Sequence, residues 1–369
     1  MRIPVEVARA YDHAGPFATA YLNATRATEC GAEEVWLRWR ALRAELAAAG
    51  ADEPTLVALD DAVAADRTPG EHGRVLVGAG GETVLSAALL RAPIRAQARW
   101  APLPHLLPYL TQLGPRIAHV VVVADGAGAD VFAANAATAA AETPAGPVEG
   151  SHDHPQHTMS TADWSERHFQ QRVENDGAGN AKGVAAVVAG LVARVDARLV
   201  VVAGDERARG LLRVHLSHLL APGADVVDVA EGSRHSGLTD SDLIDAVHGV
   251  LLQRDLRERE QTLDQLREGQ GHGSAVQGLV PVIDALRRAQ VDTLVLVDEP
   301  SPQVHAWVGP EPTQLARGAH ELHDLGVAAP EPDRLDSAMV RALAGTSAAL
   351  LTVPPDDLRL PDGVAALLR

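Results

Sequence analysis

The densest run of side chains able to do chemistry lies between residues 151 and 172. Ser151-His-Asp-His-Pro-Gln-His157 sets three histidines, His152, His154 and His157, within six residues, and His168 follows. Imidazoles so grouped have the ligand type for zinc, and three protein ligands with an open water position is the catalytic form of such a site. The intervals are short, a proline stiffens one side and no cysteine lies close, so a polar loop facing RNA is preferred, with no metal and no cofactor. Arg167-His-Phe-Gln-Gln-Arg172 follows. Its Arg167, His168, Gln170, Gln171 and Arg172 offer donors and a ring suited to phosphates, ribose hydroxyls and splayed bases. Trp164 either stacks on a base or anchors the loop to its own domain. A solvated helix face would use the same residue types.

Other candidates are weaker. Asp176-Gly-Ala-Gly-Asn-Ala-Lys-Gly183 has glycines before a helix and a lysine, yet matches neither the Walker pattern nor Gly-x-Gly-x-x-Gly. A glycine-tolerant turn explains it. Gly271-His-Gly-Ser274 has the same ambiguity. Asp125, Asp130 and Asp205 fall at strand ends, where a nuclease would hold two magnesium ions, but no spacing requires this and turn-forming aspartates are commoner. Cys30 has no partnered histidine in view, so a nucleophilic role is not assigned.

The elements that position these groups follow from composition and pattern. With 369 residues and 46% hydrophobic content, two or three cores can be buried. Aromatics make up only 3%, so Ala, Val and Leu must fill them. One cysteine excludes an internal disulfide and suits a reducing compartment. Without a signal-like or membrane-spanning apolar run, a cytoplasmic setting is expected. The net charge of −17 argues against nucleic-acid binding by bulk electrostatics. Residues 236–369 hold 11 basic against 21 acidic side chains, so RNA contact would need local arginine-bearing faces elsewhere.

Three α/β segments are expected: 1–117, 118–236 and 237–369. The first has a strand near Phe17, helices over 33–49 and 54–65, strands near 73–78 and 82–86, and a proline-rich connection at 101–108. In the second, the valine run at 119–124 reads as a strand covered on both faces. A strand at 129–134, a long loop at 135–163, a helix from Trp164 extending with interruptions to Ala193, a strand at 198–203, a helix at 205–220 and a strand at 225–229 follow. The third opens with a helix over 239–268 capped by Thr239, then a glycine-bearing loop, a helix over 280–289 and a strand at 293–297. Residues 299–319 read as irregular, 338–344 as a helix and 348–353 as a strand.

The order of the loop Glu268-Gly-Gln-Gly-His-Gly-Ser274, Gly278, a helix, and the strand Asp292-Thr-Leu-Val-Leu-Val297 resembles the start of the C-terminal domain in class-one release factors and Pelota. The chain as a whole resembles the archaeo-eukaryotic release factor/Pelota superfamily, in its bacterial, actinobacterial branch, similar to the ribosome hibernation factor Balon. That resemblance implies a middle domain of ribonuclease-H-like fold and a C-terminal domain like ribosomal protein L7Ae/L30e. It also implies a partner, the 70S ribosome with its RNA at the A site, and elongation factor Tu as a further one; no membrane is implicated. True release factors carry Gly-Gly-Gln before a middle-domain helix. This chain has no Gly-Gly-Gln, and Ala162-Asp163-Trp164 aligns there. Asp and Trp lack the backbone freedom of glycine, and the carboxylate would repel hydroxide. The resemblance therefore implies a silent occupant of the peptidyl transferase centre, with RNA contacts from His157, Trp164, Arg167, His168, Gln170, Gln171 and Arg172. A peptidyl-tRNA hydrolase or tRNA nuclease is the alternative, and a regulatory protein acting away from ribosomes is a third class.

Overall fold

The structure is a computed structural model. It describes residues 1–26, 31–68, 70–126, 128–134, 180–232, 241–297 and 304–369, and the backbone of 169–174. The chain is mixed α/β and packs as two units, one formed by Met1–Gly114 with Gln261–Arg369, the other by Pro115–Glu260.

The first part of unit one contains α1 (Val5–Ala10), β1 (Phe17–Asn23), α2 (Gly31–Ala48), α3 (Glu53–Ala65), β2 (Gly73–Ala79), β3 (Glu82–Leu89), β4 (Gln97–Ala101) and α4 (Leu107–Leu110). The strands form an antiparallel sheet in the order β3-β2-β1-β4. In α2, Val35, Trp39, Leu42 and Leu46 recur at helical spacing and are buried against Ala18, Ala20, Leu22 and Leu76 of the sheet. Asp52 caps α3, accepting from the Thr55 amide at 2.9 Å, with Pro54 in the first turn. The opposite sheet face, with Phe17, Tyr21, Val75 and Val77, is buried too. Hence β1 is buried along nearly its whole length instead of alternating. The proline-rich run is part of this core, since Leu103, Leu106 and Leu110 are buried.

Unit two contains β5 (His119–Ala124), β6 (Gly128–Ala134), β7 (Phe169–Glu174), α5 (Asn180–Val195), β8 (Leu199–Gly204), α6 (Glu206–Leu219), β9 (Asp225–Asp228) and the first part of α7 (Ser241–His272). Its sheet runs β7-β6-β5-β8-β9; β5, β8 and β9 are parallel, and β6 and β7 antiparallel. Val120 and Val122 pack on Val184, Val188, Leu212 and Leu216 of α5 and α6. Val121 and Val123 meet Leu243 and Val247 of α7 on the other side. The valine run is thus covered on both faces, as its composition requires. Gly204 closes β8 at φ +99, where a Cβ would run into the Ala124 carbonyl.

The rest of unit one holds β10 (Ala275–Gln277), α8 (Leu279–Arg287), β11 (Val291–Val297), β12 (His305–Val308), β13 (Leu315–Ala316), α9 (Ala319–Asp324), β14 (Glu331–Arg334), α10 (Leu335–Thr346), β15 (Ala349–Val353) and β16 (Val364–Leu368). One sheet has the order β10-β16-β11-β15, with β11 and β15 parallel; a small sheet has the order β13-β12-β14. Val282, Ile283, Met339 and Leu343 of α8 and α10 share the core that buries Phe17, Val75 and Val77.

Three local expectations are corrected. Phe169–Glu174 is a strand, not the start of a helix; paired to β6, it exchanges local backbone bonds for ladder bonds that no short-range pattern announces. Glu268–His272 is the last turn of α7, not a loop. Glycines there cost about 1 kcal/mol each, but Leu266 anchors the turn in the core, and a Cβ on Gly269 would crowd Ser274 and Ala275 as the chain folds back. The interval after residue 304 is not irregular but carries β12 and β13. The expected loop at 135–163 and the Thr239 cap lie outside the described residues.

Candidate nucleic-acid interface

β7 forms one edge of the unit-two sheet and carries Gln170, Gln171 and Arg172 opposite Phe132, Val131 and Asp130. Its far side has no strand partner among the described residues. His157, Trp164, Arg167 and His168 lie outside the described residues, as do His152 and His154. The structure therefore brings Gln170, Gln171 and Arg172 onto one short strand at a sheet edge.

The carboxylates near this sheet divide by task. Asp125 accepts the Gly128 amide at 2.8 Å and closes the β5–β6 turn. Asp205 caps α6, accepting the amides of Arg207 and Ala208 at 3.0 Å. Both are spent on local backbone, the commoner use of aspartate at such positions. Asp130 is buried in β6. Among the described residues no group of three His, Cys, Asp or Glu side chains could hold a metal ion. In the glycine-bearing stretch before α5, residues 175–179 lie outside the described residues, and Lys182 falls in the first turn of that helix.

At the start of β5, the central strand of the same sheet, His119 is buried with Nδ1 2.7 Å from the Ile117 carbonyl. Burial lowers its pKa, partly offset by that bond.

A second polar assembly, which the sequence reading missed, lies in unit one. The Asp333 carboxylate is enclosed and accepts from the Arg99 guanidinium, from the Leu103 amide at 2.7 Å and from the Arg334 amide at 2.5 Å. Asp336 accepts from Arg334 at 2.5 Å and faces His105 Nε2 at 3.4 Å. Burial pushes the Asp336 carboxyl upward, but the bonds and charges of His105 and Arg334 outweigh it and hold the group well below the carboxylate range. Burial drives the Tyr11 and Tyr21 phenols upward, and the Tyr21 hydroxyl donates to the His105 carbonyl at 2.7 Å. A further buried set joins His72 to Asp66 at 3.2 Å, Asp66 to Arg74 at 2.7 Å, and Arg74 to Ser86 at 2.9 Å. Arg334 with Asp336 and His72 with Asp66 are near neighbours in the chain, but Arg99 and Leu103 lie 234 and 230 positions from Asp333, a pairing no local motif could reveal. Extensively bonded to one another, these groups fix the packing of unit one rather than offering a reactive group, although the Tyr11 hydroxyl and one Arg99 Nη are buried without a hydrogen-bond partner.

Residues 118–272 match the family model of bacterial archaeo-eukaryotic release factor family 2. Rv2629 of Mycobacterium tuberculosis H37Rv, an uncharacterized protein, is 30% identical over 361 residues, covering 96% of this chain and 93% of its own. The chain belongs to the archaeo-eukaryotic release factor superfamily. Among solved structures, this release-factor relative is similar to Archaeoglobus fulgidus Pelota, at 16% identity and a TM-score of 0.33, covering 81% of this chain and 79% of that one. Ribosome-bound archaeal Pelota is 13% identical, with a TM-score of 0.39 and coverage of 100% and 95%. Chains this distant do not superpose residue on residue. Among the described residues, no helix is long and apolar enough to cross a membrane.

Proposed function

We propose that this protein binds the ribosome as a catalytically silent member of its superfamily and acts as a hibernation factor of the Balon-like branch. The observation that carries the reading is membership of a release-factor superfamily in a chain that nowhere contains Gly-Gly-Gln. Ala162-Asp163-Trp164 stands in its place by the alignment argued above. The middle unit enters the A site of the 70S ribosome and directs residues 150–172 at the peptidyl transferase centre. Gln170, Gln171 and Arg172, which lie on β7, meet RNA along the edge of that strand. His157, Trp164, Arg167 and His168 supply stacking and phosphate contacts. Elongation factor Tu delivers the protein or binds beside it, in the cytoplasm.

Co-sedimentation with 70S ribosomes from starved cells tests the reading, with a peptide-release assay on stalled ribosomes run in parallel. Binding without release is expected. Release of labelled peptide or nucleotide, abolished by His157→Ala or Gln171→Ala, would establish the hydrolase or nuclease alternative. Absence of binding at low salt would remove the ribosomal role.

A further inference from the structure

Unit one holds a cleft of ≈ 400 Å³ around α7's last turn and a larger one of ≈ 810 Å³ that no function assigned above uses. The larger opens at the carboxyl ends of β11 and β15, the parallel pair of its sheet. Open α/β sheets take ligands at that end of their parallel strands. Leu279, Leu296, Met339 and Val364 give the cleft apolar walls, and its volume is in the range of small-molecule sites.

The charges that line it differ in commitment. Arg334 and Asp336 are bonded to each other, and Asp362 accepts the Leu279 amide at 2.9 Å, which holds the start of α8. Arg359 is exposed on the rim, and its guanidinium has no hydrogen bond or ion pair among the described residues. An arginine beside an apolar hollow can meet a carboxylate or sulfonate in bidentate fashion while the hollow takes the hydrocarbon. The lining carboxylates Asp336 and Asp362 disfavour a polyanion such as a nucleic-acid strand.

We propose that this cleft binds a small amphipathic monoanion, its apolar body against Leu279, Leu296, Met339 and Val364 and its anionic group on Arg359. Titration of the full chain with 1-anilinonaphthalene-8-sulfonate tests it, with octanoate as competitor. Saturable one-to-one fluorescence, displaced by octanoate, is expected. Arg359→Glu should weaken both ligands by about tenfold or more, the scale of one charged hydrogen bond. Leu279→Trp, which fills the hollow, should abolish the signal, while Leu211→Ser on exposed α6 should leave it unchanged. Should the Leu279→Trp protein lose its circular dichroism, Arg359→Glu with octanoate displacement decides alone. Unsaturable fluorescence, or affinities unchanged by Arg359→Glu, would overturn the proposal.

Discussion

Asp333 has no exposed side-chain surface and three donors directed at it, so its charge is held only by those bonds. Asp333→Asn removes the charge and leaves Arg99 facing a neutral amide in an enclosed site. Breaking a fully buried pair from one side costs about 3–5 kcal/mol; because Arg99 keeps 27% of its side chain exposed, a smaller fall in the urea unfolding midpoint is expected. Asp336 sets an acid limit. Its pKa is depressed in the folded state, so its stabilisation is present above the unfolded value, near 4, and is lost as pH falls through the folded value. Unfolding followed from pH 6 to pH 2 should show a loss below about pH 4 that Asp336→Asn flattens. His119 acts in a higher window. Its pKa too is depressed, so stability declines as pH drops below its ordinary 6.5, and His119→Gln should remove that part of the slope.

At the level of single elements, α6 separates two readings of its cap. If Asp205 only caps the helix, Asp205→Ala should lower stability by about 1 kcal/mol and leave ribosome co-sedimentation intact. A nuclease that used this carboxylate would lose its activity as well as the cap's contribution to stability. The elements differ in how far the chain itself announced them. The valine runs of β5 and β8 carry their burial in local pattern and fold as read; the apolar stripe of α2 is buried at Val35, Trp39, Leu42 and Leu46, but Leu37, expected on the same face, is exposed. β7 could not be read so: its polar centre has neither alternation nor helical period, and its strand state comes from pairing with β6. The end of α7 misled for the opposite reason, because its glycines suggest a loop while Leu266 and the close return of Ala275 hold a helix. Of the candidate site, Gln170, Gln171 and Arg172 were found in sequence by residue type, but their edge position is a tertiary fact. Arg359 was not singled out at all, since only the carboxyl ends of β11 and β15 give it a cleft to border.

Across the whole molecule, the acidic balance limits how RNA can be met. With a net charge of −17, binding should rest on a few arginine contacts. Arg167→Ala with Arg172→Ala should therefore weaken ribosome binding and reduce the salt slope by roughly 2, read by co-sedimentation at increasing salt.

Unit one is built from the two ends of the chain, with residues 115–260 between them. During synthesis the sheet face bearing Phe17, Val75 and Val77 emerges long before Val282, Ile283 and Met339, which share its core. At about 5–20 residues per second, that face has only early partners such as Val7, Leu103 and Leu106 for roughly 10 to 50 s. A chain stopped before α8 should therefore keep part of this face bare and be cut faster than the full chain in limited proteolysis.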